Sequence, residues 1–341
     1  MLARIAPRLA ALVVVSISLS PSAAGLSILQ YNVNGIRASG TPRREALQRI
    51  VDYFDPDIIV MQEAKGITDV QAFLALNSDY EGFYSSADGA ANRRMVMSKY
   101  DIIDESVREH DLGVESKRTL FSATIDLPGP HDLVVFTAHW DASSAVVREA
   151  ESLASVAILQ AFRLMNPDLL YLYAGDFNDV DTSGRITALL APSVGLELFT
   201  PIDPITQSNA TINSDPDEGT YLDRRIDYIL PFLELASFGT DGRVLNTWAH
   251  GPGSAPSGLE LRDTIDASDH LPVYMRIRWR PITGDANLDC KVDILDMIYI
   301  RNKLNQDPDT GGNWKADVNN DEKINILDMI LVRNHLNNVC R

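Results

Sequence analysis

A mixed α/β sandwich followed by a small helical module built on paired cation loops is the fold this sequence predicts, on three observations. Short apolar runs alternate with helical patterns over residues 25–283. Neighbouring runs in the middle of that stretch have no helix between them, as locally antiparallel strands require. Residues 284–341 contain an internal repeat.

Taken in order, the chain opens with a basic start (Arg4, Arg8), an apolar run from Leu9 to Leu19 and the small residues "PSAAG". That run is shorter than the roughly 20 residues a spanning helix needs, so residues 1–24 are expected to be a secretory signal peptide cleaved after Ala24. No later stretch is long enough to span a bilayer, so the mature protein is expected to be secreted or held at the cell surface. Strands are expected at Leu26 to Tyr31, Ile58 to Met61, Met95 to Met97, Leu133 to Thr137, Leu169 to Ala174, Ile226 to Leu230 and Val273 to Ile277. Helices are expected at Arg43 to Phe54 and Ala145 to Met165. A formal charge of -17 repels polyanions at long range and argues against tight non-specific nucleic-acid binding. It leaves room for a nuclease, because a divalent cation can bridge an acidic site to phosphate.

Polar groups fall at the ends of the apolar runs. "ILQYNVNG" places Asn32 and Asn34 after the first run, and "IIVMQEAK" places Glu63 after the second. "VVFTAHWD" ends in His139 and Asp141, and "LLYLYAGDFND" in Asp176 and Asn178. "RRIDYIL" embeds Asp227 in an apolar stretch, where a carboxylate must find a partner or face solvent; Asp269 and His270 precede the last run. Singly, each also reads as a turn residue, a helix cap or a structural histidine. As an ordered series on strands of one sandwich, they are expected to converge. Arg93 and Arg94, before "MVMSK", read either as a solvated strand start or as positive charge near a substrate phosphate.

At the C-terminus, "GDANLDCKVDILDMIYIRNKLN" recurs as "ADVNNDEKINILDMILVRNHLN", 32 residues on (Asp285 to Asp317). In each copy oxygen-bearing side chains occupy the first, third, fifth, ninth and twelfth places. They are Asp285, Asn287, Asp289, Asp293 and Asp296, then Asp317, Asn319, Asp321, Asn325 and Asp328. Such spacing wraps a loop around a hard cation and leads into an amphipathic helix.

Two resemblances follow from these motifs. Residues 284–341 resemble the type I dockerin, whose duplicated calcium loop and helix bind cohesin domains. That implies two bound Ca²⁺ and a cohesin-bearing partner. Asp296 and Asp328 fill the last ligand place where a general EF-hand has Glu, and Ile294-Leu295 and Ile326-Leu327 stand where many dockerins carry Ser or Thr. Cys290 and Cys340, the only two cysteines, would then clamp the module's ends as a disulfide.

"NVNGIR", "QE", "AHW", "GDFN", "RIDYIL" and "SDHLP" occur in the order seen in the endonuclease/exonuclease/phosphatase superfamily, which residues 26–279 resemble. The resemblance implies a four-layer, deoxyribonuclease I-like α/β sandwich over 25–283 and a phosphoesterase using Mg²⁺ or Mn²⁺. By the same resemblance Glu63 is the principal metal ligand, with Asn32 and Asp269 beside it. Asp176 and Asn178 position water and phosphoryl oxygens, Asp227 holds His270 for action on the phosphate, and His139 serves the leaving oxygen. "NVNGIR" resembles the AP endonuclease branch and "AHW" the deoxyribonuclease and sphingomyelinase branch. The activity expected first is that of a secreted nuclease or phosphodiesterase. A lipid or sugar phosphate phosphatase is the alternative within the same class, and a non-catalytic assembly or adhesion component the alternative outside it.

Overall fold

The structure is a computed structural model that describes residues 3–4, 25–88, 92–113, 118–128, 131–212, 224–279, 282–287, 289, 291–308, 313–319 and 321–339. The expected signal peptide, apart from Ala3–Arg4, and the expected Cys290–Cys340 disulfide lie outside the described residues.

Two mixed sheets stack face to face. The seven-stranded sheet runs β1 (Ala3–Arg4), β4 (Glu81–Tyr84), β5 (Met95–Ser98), β3 (Ile58–Gln62), β2 (Leu26–Asn32), β12 (Val273–Ile277), β11 (Thr240–Val244). The five-stranded sheet runs β10 (Asp227–Pro231), β9 (Leu170–Asp176), β8 (Leu133–His139), β7 (Thr119–Ile125), β6 (Arg108–Asp111). Only β2 with β3 and β8 with β9 pair parallel. Each parallel pair is joined by a long helix, α1 (Pro42–Phe54) or α3 (Ala145–Met165), because a parallel crossover cannot be made by a tight turn.

Successive side chains of a strand point to opposite faces, and here the alternation sorts the residues cleanly. Leu26 and Ile28 of β2, Ile58 and Val60 of β3, Val135 of β8, Leu172 and Ala174 of β9 and Ile229 of β10 fill the core between the sheets. Leu29, Tyr31, Ile59 and Met61 face the other way, onto α1, α2 (Ile67–Leu76) and α6 (Asp263–Ala267). Val134, Phe136, Tyr171 and Tyr173 pack outward against α3 and α4 (Gly184–Leu189). The four-layer order is therefore helix, sheet, sheet, helix, as the resemblance implied. The short α5 (Leu233–Ala236) follows β10 and sends Leu235 into the inter-sheet core.

Both long helices begin where their sequences say. Thr41 accepts from Arg44 N with Pro42 in the first turn, and Ser144 accepts from Val147 N. Five strands are not among those expected from sequence: β1, β4, β6, β7 and β11. Among these, β6 ("REHD") and β11 ("TDGRV") are edge strands with partly exposed, polar faces, so no apolar alternation marks them.

In the C-terminal module, α7 (Ile294–Arg301) and α8 (Ile326–Asn334) pack over Ala286, Val292, Ile300, Ala316, Val318, Ile324 and Val332. The ninth-place residues Asp293 and Asn325 are the helix N-caps, accepting from Leu295 N and Leu327 N, each in a capping box with the twelfth-place Asp296 or Asp328.

Candidate active site

The inter-sheet face changes from apolar to polar at one end of the sandwich, and the site is built there. Continuing the parity of Leu26 and Ile28 along β2 brings Gln30 and Asn32 to the same face. On β3 it brings Gln62, on β8 Thr137 and His139, on β9 Asp176, and on β10 Asp227. All seven are buried. Beneath the site, Gln30 Nε2 donates to Asp227 Oδ1 (3.1 Å) and Gln62 Oε1 (2.7 Å), and Gln62 Nε2 donates to Thr137 Oγ1 (3.0 Å). Sequence reasoning missed this ladder of Gln30, Gln62 and Thr137. The available signal was their shared parity with Asn32, His139 and Asp227.

Asn32 is the hub. Its Nδ2 donates to Asp176 Oδ2 (2.8 Å), lies 3.4 Å from Glu63 Oε1 and is 3.4 Å from His270 Nε2. Asp227 Oδ2 meets His270 Nδ1 at 2.8 Å, which turns Nε2 toward Asp176 Oδ2, 3.7 Å away. His270 is set by Ser268, whose Oγ donates to Asn32 O (2.6 Å) and accepts from His270 N (3.1 Å). The "SDH" turn is thereby tied to the end of β2. On the far side His139 Nε2 stands 3.5 Å from Asp176 Oδ2 and 3.7 Å from Glu63 Oε1. Asn178, in a left-handed conformation (φ 49), returns its N–H to Asp176 Oδ1 (2.9 Å) and donates Nδ2 to Trp140 O (2.9 Å).

Charge crowding sets the protonation states. Burial, reinforced by the nearby Asp227 charge, pushes Asp176 up to about 7. Burial alone would lower His270, but Asp227 and Asp176 outweigh it and raise the imidazole to about 10. His139 goes the other way: burial, then the positive charges of Arg118 and His270, hold it well below its usual range. Its Nδ1 has no hydrogen-bond partner among the described residues. Arg118 also donates to the carbonyls of His139 and Trp140, which fixes the end of β8.

Other sequence candidates fall outside the cluster or at its edge. Asp141 caps the turn before α3, accepting from Ser143 N (2.8 Å) and Ser144 N (2.6 Å). Arg94 is buried at 1% exposure and donates to Thr119 Oγ1 (2.7 Å), so it serves the interior rather than a solvated strand start. Asp269 is exposed, its carboxylate accepting from Ser268 Oγ (3.4 Å).

Two groups of ligands suit a cation. Glu63 sits just past β3 with φ 54 and its side chain 19% exposed, so its carboxylate is reachable from solvent. Glu63 and the exposed Asp269 offer carboxylate oxygens, as a hard divalent ion such as Mg²⁺ or Mn²⁺ prefers, whereas Asn32 turns its Nδ2 toward Glu63 and its Oδ1 accepts from Asn34 N (3.1 Å), so its amide would have to turn to present oxygen. Deeper in, ligand atoms of Asp176, Asp227 and His270 lie within 4.8 Å of one another. In the C-terminal loops the acidic side chains are gathered around backbone N–H groups. Asp296 accepts from Ala286 N (2.7 Å) and Asp293 N (2.8 Å), and Asp328 accepts from Asn319 N (3.3 Å) and Asn325 N (2.8 Å). The fifth-place Asp289 and Asp321 donate their N–H to Asp285 and Asp317, both at 3.1 Å. Each loop therefore closes on its own first and last ligand candidates.

Comparison with known proteins agrees with this geometry. Residues 29–270 match the Endonuclease/Exonuclease/phosphatase family and residues 283–337 the Dockerin type I domain. No curated protein sequence matches the chain. Among solved structures, a truncated TDP2 from Caenorhabditis elegans superposes with a TM-score of 0.54 at 17% identity, covering 74% of this chain and 97% of that one. A mannosyl-6-phosphatase from Bacteroides thetaiotaomicron gives 0.54 at 18% identity, covering 75% and 100%. The human Nocturnin catalytic domain with bound sulfate gives 0.52 at 14%, covering 74% and 94%. At such identities the likeness speaks for the fold.

Proposed function

This chain belongs to the endonuclease/exonuclease/phosphatase family and carries a type I dockerin domain, and from that premise we propose that it is an exported, divalent-cation-dependent phosphodiesterase, a nuclease first. The observation that carries the reading is the convergence of Asn32, Glu63, His139, Asp176, Asp227 and His270, drawn from six separate chain segments, on one sandwich rim.

A phosphodiester is an anion attacked by water, so the site must neutralise charge, align the nucleophile and assist the leaving oxygen. A divalent ion held by Glu63, with Asn32 and Asp269 beside it, would supply Lewis-acid polarisation of a phosphoryl oxygen. Asp227 fixes the His270 ring and stabilises its imidazolium, which offers Nε2–H to the phosphoryl group. Asp176, poised near neutrality and held by Asn32 and Asn178 N, accepts a proton from water or orients it. Because burial keeps His139 neutral, it contributes a hydrogen bond to the leaving oxygen rather than a positive charge. Two Ca²⁺ in the C-terminal loops would stiffen the module. The exposed Ile294, Leu295, Ile326 and Leu327 give its cohesin-bearing partner an apolar surface to meet.

A sugar phosphate phosphatase is the second reading. It is favoured by the charge of -17, which disfavours long polyanions, and by the structural likeness to a mannosyl-6-phosphatase. Hydrolysis of bis-p-nitrophenyl phosphate, plasmid DNA, sphingomyelin and mannose 6-phosphate with and without Mg²⁺ separates the readings, with Glu63→Ala and His270→Ala as controls. Turnover of bis-p-nitrophenyl phosphate and plasmid DNA is the expected result; turnover of the monoester alone selects the second reading, and turnover of sphingomyelin without DNA selects a lipid substrate. Absence of Mg²⁺-dependent turnover on all four substrates would leave the chain an assembly component.

A further inference from the structure

Glu63 already has a cation. Lys65 Nζ lies 2.5 Å from Glu63 Oε2 and 3.3 Å from Asn34 Oδ1. The contact is built by two loops in left-handed conformations, Asn34 (φ 42) with Gly35 (φ +94) after β2 and Glu63 (φ 54) after β3. A Cβ on Gly35 would lie 3.6 Å from both Cβ and Cδ of Lys65, so the lysine stem runs across the glycine. The pair is not sealed in: the Lys65 side chain is 34% exposed and that of Glu63 19%.

We propose that Lys65 is a resident counter-cation for Glu63, occupying the carboxylate in the metal-free protein and displaced when a divalent ion binds. The inference rests on Glu63 being the metal ligand, as proposed above. Physically, Glu63 and Asp176 approach the same Asn32 amide, and Asp227 and Asp269 add negative charge around His270. The His270 imidazolium serves Asp227 and Asp176, and the Lys65 ammonium is the cation in contact with Glu63. A doubly charged ion at Glu63 would repel that ammonium, and Lys65, free to reach solvent, would swing toward the incoming phosphate. Metal binding then includes breaking the Lys65 pair, and the lysine becomes available only when the site is loaded.

The test uses the full chain. Mn²⁺ is titrated calorimetrically, and the catalytic site is identified as the binding component that Glu63→Gln removes, which separates it from the C-terminal loops. Lys65→Met is expected to tighten that component by roughly two- to fivefold, the size of a partly exposed ion pair removed from the competition. In the wild type, acetylation of Lys65 mapped by mass spectrometry is expected to rise when Mn²⁺ is added, a readout that needs no variant. Unchanged or weaker Mn²⁺ binding by Lys65→Met, or acetylation indifferent to Mn²⁺, overturns the inference while Glu63 remains the ligand. If Glu63→Gln removes no component, the metal assignment of Glu63 is itself wrong, and the inference falls with it.

Discussion

Replacing Asp227 by Asn keeps the shape of the most buried carboxylate in the site and removes its charge. Asp227 is 0% exposed; one oxygen faces His270 Nδ1 at 2.8 Å and the other accepts from Gln30 Nε2 at 3.1 Å. An amide can accept from only one of these donors, so the variant either leaves a buried donor facing a donor, at about 1–3 kcal/mol, or forces a neutral His270 into the opposite tautomer. Breaking a buried ion pair by removing one partner costs about 3–5 kcal/mol in all. The effect on His270 is as large. Its imidazole is held at about 10 instead of 6.5, and with Asp227 neutral only Asp176 and Asp269 still oppose burial, so the imidazole moves down. The ring is then less protonated and no longer held in position, and hydrolysis of bis-p-nitrophenyl phosphate is expected to fall about 10²- to 10⁴-fold, the usual worth of one positioned acid or base.

The linkage has a definite sign. A histidine raised in the folded state stabilises fully below about pH 6.5, and that contribution is lost as pH rises through about 10. In the wild type, chelator-treated protein should therefore lose stability across that window, and Asp227→Asn should lack this component. Ring-proton NMR of His270 follows the same change directly. Near-normal turnover in Asp227→Asn, with His270 still titrating near 10, would refute the assigned support of His270 by Asp227.

Three further outcomes are expected. Gly175→Ala should abolish turnover and lower the melting temperature, because a Cβ there overlaps the backbone oxygen of Ala138 on β8, forcing apart the strands that carry His139 and Asp176. A variant with normal melting and activity would show that the strands yield without moving the site. Chelation should reduce the far-ultraviolet helix signal as α7 and α8 lose their loops, with Asp296→Ala and Asp328→Ala behaving alike; an unchanged spectrum would count against calcium-coupled folding. Finally, Cys290 and Cys340 are expected to show no free thiol. Their chain neighbours Lys291 and Val339 pair antiparallel, and full alkylation without reductant would rule the disulfide out.

Much of the site was legible because its signal is local. The pleat sends alternate side chains to one face, so a run such as Leu133 to Thr137 already places His139 on the face of Leu133 and Val135. The same parity puts Asp176 with Leu172 and Ala174, and Asp227 with Ile229. The C-terminal loops were legible for the same reason, since ligand places, N-cap and helix all lie within a few residues of one another. Where the sequence was ambiguous, long-range packing decided. Asp141 and His139 stand two residues apart, yet one caps a turn and the other enters the site. Asp269 and His270 are adjacent, yet one is exposed and the other buried against Asp227.

The sequence by itself determined which side chains were candidates, because face and periodicity are set by neighbours along the chain. Only the tertiary structure decided which of them meet. Gln30 and Asp227 are separated by 197 residues and Asn32 and His270 by 238, and both contacts depend on how the two sheets stack and which strands lie side by side. That order follows from burying apolar faces across the whole molecule, a sum over distant residues that no local pattern records. It is also what brings Asn34 from the end of β2 to Lys65, whose pairing with Glu63 is itself local to the loop after β3.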